Sequence, residues 1–361
     1  MPDKIKCGVI GAGWWATFAH IPALLSHPNA ELVAIQNNKP EEAQKIAHDF
    51  GAPFACTTKE ELLAIEGISA IVVSSSPGLH FQDGFAALSK GKHVLIEKPM
   101  TLTVTEATQL VNLAEQHGSQ FLISCPWHYT AHATEAQRLI RQGEIGHLRM
   151  ISILMTNPIG DLLRGADTRP THTNRTPYMH PRLGTYSDPK LAGGGQIYTQ
   201  VCHAAAYLTF LTGARPAEVF ARFHNDGAVL DIYDTLDLRM TDGSIVTIAS
   251  TGATSLGRKD FEVRVFGTKA VIFLDLWRGK LEFVPLNGQP RSYPDLDADA
   301  IYPHFAPARN LIDSILNPDC NRSPANLGVA AMEVVEGACR SASSGNNILV
   351  SAFAEQLSCN L

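Results

Sequence analysis

The chain has 361 residues, 45% apolar and 18% charged, with 29 basic against 35 acidic side chains and a formal net charge of −6. This is the balance of a globular protein long enough for two domains. It excludes extended disorder, and without a basic tract nucleic-acid binding has no electrostatic footing. No apolar run reaches the ~18 residues of a membrane span. The first strand-like run starts too early to leave room for a signal peptide, so a cytoplasmic location is expected. Seven cysteines, Cys7, Cys56, Cys125, Cys202, Cys320, Cys339 and Cys359, lie far apart with no CxxC. That spacing predicts reduced thiols rather than disulfides or a zinc knuckle.

Short runs rich in Val and Ile open the chain: residues 5–10, 31–36, 70–74, 93–97 and 120–124. Such runs read as strands buried on both faces. Between the last two, Thr103 and Glu106 form a capping box, Ala107, Leu110, Val111 and Ala114 make a helical stripe, and Gly118 supplies the stop. Strand alternating with helix predicts a doubly covered parallel sheet over residues 1–124. From 125 to 361 the pattern changes. A helix over 133–141 and a long strand over 147–155 precede a segment, 157–192, with five prolines and no sustained periodicity. So long a loop reads as a lid or substrate loop. A helix over 196–211 follows Gly193-Gly194-Gly195. Six closely spaced strands between 217 and 285, with an Asp242-Gly243 turn, predict a large, mainly antiparallel open sheet. Helices over 306–316 and 329–344 close the chain.

Gly11-Ala12-Gly13-Trp14-Trp15-Ala16 follows the first strand and opens a helix. This is the GxGxxG/A dinucleotide fingerprint. Gly11 allows the tight turn, Gly13 lets a pyrophosphate approach the amide-rich helix start, and Ala16 permits close packing of helix on strand. A carboxylate ending the second strand would select NAD. Here that position, about 24 residues beyond Gly13, holds Asn37 within Gln36-Asn37-Asn38-Lys39. Asn37 hydrogen-bonds a ribose without repelling a 2′-phosphate, Lys39 attracts one, and no Arg stands in the segment to grip it. NAD and NADP both remain open.

Glu97-Lys98-Pro99 ends a strand of the first sheet, which puts Lys98 at the mouth of a cofactor cleft. Together with His20-Ile21-Pro22-Ala23-Leu24, Pro77 with His80, Gly91-Lys92-His93-Val94, Gly143-Glu144-Ile145-Gly146 and the glycine-led helix bearing His203, the sequence resembles the Gfo/Idh/MocA oxidoreductases over nearly its whole length. The resemblance implies a Rossmann domain followed by an α/β domain whose open sheet forms a homodimer or homotetramer interface. It implies NAD(P)-dependent interconversion of a secondary alcohol and a ketone on a sugar, glycoside or cyclic polyol. It places Trp14, Trp15, Asn38, Ser75, His80 and Glu97 by the cofactor. His203 then takes the hydroxyl proton, as suits a side chain with an unperturbed pKa near ~6.5, while Lys98 stabilises the alkoxide.

Two departures from the family stand out. The acidic residue one turn before the histidine is Thr199, which carries no charge. The motif after the last Rossmann strand reads Cys125-Pro126-Trp127-His128-Tyr129, so Trp127 and His128 are expected at the nicotinamide or substrate. In the long loop, Asp161, Arg164, Arg169, Tyr178, Tyr186 and Asp188 are substrate-contact candidates. His128 and His132 share a helix face but lack a third ligand nearby, so no metal is expected. Two alternatives remain. One is a cis-dihydrodiol dehydrogenase. The other, favoured by Thr199, is a non-catalytic relative that senses sugar or cofactor.

Overall fold

The computed structural model describes residues 3–166, 176–182 and 184–350. Among these, six parallel strands form the first sheet: β1 (Ile5–Ile10), β2 (Ala30–Gln36), β3 (Phe54–Cys56), β4 (Ile68–Val73), β5 (His93–Ile96) and β6 (Phe121–Ile123). Their order is β3-β2-β1-β4-β5-β6, the doubly wound Rossmann arrangement. The strands sit where the apolar runs predicted them. The exception is β3, three residues at the sheet edge, too short to show a period. The helix Val104–His117 is bounded as expected. Thr103 accepts from the Glu106 amide, the capping box is closed, and Gly118 takes φ 64°. A left-handed residue there costs glycine nothing.

The second sheet adds β7 (Leu148–Thr156), β8 (Pro216–His224), β9 (Tyr233–Met240), β10 (Ile245–Thr251), β11 (Asp260–Gly267), β12 (Ala270–Asp275), β13 (Lys280–Pro285), β14 (Arg291–Ser292) and β15 (Ile348–Leu349). The order is β14-β13-β12-β11-β7-β10-β9-β8-β15. It is antiparallel except where β7 and β10 run parallel at its centre. Alternation decides its two faces. Ile151, Ile153, Val246, Ile248, Val263 and Val265 point inward, under the helices Cys202–Thr212 and Asn326–Ser344. The opposite face is partly solvated and carries Met150, Leu154, Ile245 and Phe273.

The closing helix Ala306–Leu316 packs against the first sheet, not the second. Its Ala308, Leu311 and Ile312 share a core cluster with Val9, Ile21, Ala70 and Leu95. Of the long loop, the described parts hold two single turns of helix, Gly160–Leu163 and Pro189–Ala192. Arg169 lies outside the described residues, as does Cys359.

Candidate active site

A cleft of about 780 Å³ runs from the glycine turn to the helix that carries His203. Its lining comes from both sheets and from the long loop. At one end, Gly11 adopts φ 75°, and a Cβ there would sit 2.4 Å from the Ser75 backbone. Only glycine fits. Gly13 has nothing nearer than the Gly11 carbonyl at 3.8 Å, so its backbone stands open to the cleft. The helix that follows widens to π geometry over Ala16–His20, and Ala16 is fully buried against the sheet. An exposed glycine turn at a helix start, opening into a cleft at the carboxyl ends of parallel strands, fits a dinucleotide.

Glu97 is the anchor of the next part. Its carboxylate accepts from Trp15 Nε1 at 2.8 Å, meets His20 Nε2 at 2.8 Å, and accepts from the Lys98 amide at 3.1 Å. Burial works to raise its pKa, but the His20 hydrogen bond, with the His20 and Lys98 charges, outweighs it and holds Glu97 below the usual carboxylate range. The Lys98–Pro99 peptide is cis. His80 bridges the Pro99 carbonyl at 2.7 Å and the Ser75 carbonyl at 2.9 Å, tying the ends of β4 and β5 together. Lys98 is thus held from behind, and its Nζ donates to the Thr199 backbone carbonyl at 3.0 Å.

Thr199 and His203 belong to one continuous helix, π over Ile197–Val201 and α from Cys202. A π turn inside a helix is frequent at functional sites. Asp231 fastens its start, accepting from the Gly195 amide at 2.8 Å and the Ile197 amide at 2.7 Å. A Cβ on Gly195 would lie 2.0 Å from the Asp231 carbonyl oxygen, which is why the helix is led by glycine. The Thr199 hydroxyl donates back to the Gly195 carbonyl at 2.7 Å, so this residue presents its own carbonyl, not its hydroxyl, to Lys98. His203 lines the cleft with its Nδ1 buried and without a hydrogen-bond partner. Burial, reinforced by the Lys98 charge, pushes its pKa well below the ordinary imidazole value, so the ring is neutral at pH 7.

Around His203 stands an aromatic wall. Trp127 meets the His203 ring edge-on at 5.2 Å, Trp277 at 5.1 Å and Tyr302 at 4.7 Å. Trp277 and Tyr302 stack at 5.4 Å. Neither carries a sequence signal, since each sits just beyond a periodic element and reaches the cleft only through the tertiary fold. Asp231 was equally silent.

Trp14, Trp15, Asn37, Asn38, Ser75, His80, Lys98, Trp127, Tyr186, Thr199 and His203 all line the cleft. Ala16, His128, His132, Arg164, Tyr178 and Asp188 do not. His128 is buried, stacked on Phe210 at 4.4 Å, with Nδ1 bonded to Ser323 at 2.9 Å. Its ring packs on Phe210 and Tyr207 of the helix Cys202–Thr212 and is fully buried. His132 bonds the Gly279 carbonyl instead of sharing a ligand with it. Arg164 pairs with Asp226 at 2.6 Å. Tyr178 lies on the helix Pro40–Phe50, its hydroxyl donating to Asp49 at 2.5 Å and accepting from Lys45 at 2.9 Å. A further correction concerns the second strand. An arginine does reach it: Arg182 of the long loop donates to Asn38 at 3.1 Å and to Asn37 at 3.2 Å.

Comparison with known proteins accords with this architecture. A family profile described as "Oxidoreductase family, NAD-binding Rossmann fold" matches residues 5–124, and one described as "GFO/IDH/MocA C-terminal domain" matches residues 133–273. An uncharacterized oxidoreductase of Synechocystis sp. is 31% identical over 218 residues, 60% of this chain and 53% of that protein. A dTDP-3,4-didehydro-2,6-dideoxy-alpha-D-glucose 3-reductase of Streptomyces antibioticus is 35% identical over 160 residues, 44% and 48% of the two chains. The chain therefore spans about half the length of these two curated relatives. The aldose-aldose oxidoreductase from Caulobacter crescentus, solved with glycerol, shares the fold at a TM-score of 0.77 over 96% of this chain and 99% of that one, with 21% identity. The two profiles take in the whole first sheet and strands β7 to β11 of the second, and the chain belongs to the Gfo/Idh/MocA oxidoreductase family.

Proposed function

We propose that the protein is an NAD(P)-dependent dehydrogenase that oxidises a secondary alcohol of a sugar, glycoside or cyclic polyol to the ketone. The observation that carries this reading is that Lys98, from the end of β5, and His203, from the helix Cys202–Thr212, line one cleft that begins at the glycine turn. A bound nicotinamide supplies the two-electron acceptor for the carbinol hydride. The chain supplies the rest. His203, neutral at pH 7, accepts the hydroxyl proton at its cleft-facing nitrogen. The Lys98 ammonium binds the same oxygen and stabilises the alkoxide as it develops. The Thr199 carbonyl holds that ammonium and Glu97 holds the Lys98 backbone amide, and Thr199 needs no charge to do its part. The aromatic wall excludes water and offers flat apolar surface to the C–H face of a ring. Sugar-acting relatives support this substrate class. The test is absorbance near ~340 nm with NAD⁺ or NADP⁺ across hexoses, glucosides and inositols. A rise is expected. A flat trace with every substrate, from protein shown to bind nucleotide, overturns it in favour of a sensing role.

The same wall favours a second reading, a cis-dihydrodiol dehydrogenase, because Trp15, Trp127, Trp277 and Tyr302 also suit a planar product. An aromatic diol absorbs in the near ultraviolet and is told apart directly.

The open face of the second sheet supports a homo-oligomer. The register places Met150 beside Ile245 and Phe266, and Leu154 beside Ala249 and Glu262, all on the side away from the helices. An apolar stripe of this kind on a broad sheet is a surface for a second copy.

A further inference from the structure

The end of β2 is a cationic site whose arginine arrives from the long loop, 145 positions further along the chain. We propose that Arg182, with Lys39, binds the 2′-phosphate of NADP(H) and makes the protein selective for it over NAD(H). This rests on reading the cleft as a nicotinamide dinucleotide site.

In a NAD-selective Rossmann domain, a carboxylate at this position accepts from the ribose hydroxyls. Here the corresponding acceptor is already occupied. Asn37 Oδ1 accepts from the Lys39 amide at 3.0 Å and from Arg182 Nη2 at 3.2 Å. Its Nδ2 donates to the Ala12 carbonyl at 2.8 Å and to Glu42 at 3.2 Å. Asn37 is buried and locked in this orientation. Glu42, the carboxylate that Asn37 itself contacts, does not replace the missing acid. Its Oε1 accepts from Lys39 Nζ at 2.8 Å and its Oε2 from Arg182 Nη2 at 2.6 Å. Two cations thus share one anion, leaving an excess positive charge at the rim of the cleft. Lys39 and Arg182 also hold Glu42 ionised, outweighing the burial that works to raise it.

The arginine keeps donors to offer. A guanidinium has five N–H groups, and three are used, on Asn38, Asn37 and Glu42. Its side chain is 42% exposed, so the fork has room to turn from Glu42 toward an incoming phosphate dianion, the ligand its geometry matches best. The segment bearing it is pinned on both sides to the first domain. Tyr178 is fastened to Lys45 and Asp49 and packs on Phe50 at 5.1 Å. Tyr186 accepts from Trp14 Nε1 at 3.1 Å. Arg182 is therefore presented at the ribose end by a strap anchored at its flanks, and it does not wander as a lone surface arginine would.

The test is equilibrium binding to the full-length protein, read by calorimetry or by quenching of the cleft tryptophans. The ligands are NADP⁺, NAD⁺, adenosine 2′,5′-bisphosphate and 5′-AMP. NADP⁺ is expected to bind at least about tenfold more tightly than NAD⁺, and the bisphosphate more tightly than 5′-AMP by a similar factor. Arg182→Met should weaken NADP⁺ and the bisphosphate by about 10- to 100-fold and change NAD⁺ and 5′-AMP by less than about threefold, with Arg182→Lys in between. Equal affinity of the wild type for NAD⁺ and NADP⁺ overturns the proposal, as does a preference that survives Arg182→Met. Binding of neither dinucleotide overturns the underlying reading of the cleft, and this proposal with it.

Discussion

The Lys98 ammonium and the Thr199 backbone carbonyl, 101 residues apart in sequence, meet at 3.0 Å. This bond joins the carboxyl end of β5 to the helix that carries His203. It also explains how the site tolerates a threonine where the family has an acid, since the lysine is held by a main-chain oxygen that any residue provides.

Replacing Lys98 by Met removes the ammonium and keeps most of the stem. Turnover should fall by about 10²- to 10³-fold, the usual cost of deleting a donor to a developing oxyanion. Nucleotide affinity should stay within about threefold, since the glycine turn is untouched. Steady-state kinetics and a nucleotide titration on the same sample check this. Near-normal turnover would remove Lys98 from the chemistry.

The pH profile of oxidation should reflect a depressed histidine. Burial and the Lys98 charge hold His203 neutral well below its ordinary range. The basic form is the active one, so kcat/KM for alcohol oxidation should stay level from pH 8 down through the unperturbed value of about 6.5 and fall only well below it. An acid limb centred at or above that value would count against His203 as the base.

Asp234 supplies a stability prediction of the opposite sense. It is buried in β9 close to Asp231, and its pKa is raised from 3.8 to about 9 by burial and then by the Asp231 charge. The folded state holds a proton that the unfolded state releases above about pH 4. Its contribution is therefore complete below that pH and is lost as pH rises toward 9, at about 1.4 kcal/mol per pH unit. Asp234→Asn keeps the shape and removes the titration. Urea unfolding should find the variant more stable than wild type at pH 8, by at least about 1 kcal/mol, with the gain gone near pH 4. A loss of equal size at both pH values would refute the account.

The outer sheet face makes a prediction about assembly. Leu154 and Ile245 stand on adjacent, paired strands of that face, 38% and 48% exposed. If this face pairs two copies as proposed, charging both, as Leu154→Lys with Ile245→Glu, should yield a monomer on light scattering at fixed concentration while leaving the circular dichroism spectrum unchanged. A wild type that is already monomeric would show that this face has no self-partner.

What the sequence determined by itself is what local rules govern. Strand β1 and the helix Ala306–Leu316 have the bounds their periodicity predicted, because apolar spacing is set by the same pleat and helical turn that make the element. The glycine turn, the Thr103 capping box and Lys98 at a strand end were legible for the same reason. Each is a short-range demand on backbone shape. Sequence spacing left undecided whatever depends on distant segments meeting. His128 was expected in the site beside Trp127, and its ring stacks on Phe210 instead of lining the cleft. Tyr178 became a clasp on Lys45 and Asp49. Arg182 reached Asn37 across 145 positions, and Trp277, from the β12–β13 turn, and Tyr302, from beyond β14, came to pack on Trp127 beside the histidine. A side chain's identity is local, but its neighbours are chosen by the packing of whole elements, and periodicity carries no record of which loop lies over which strand end.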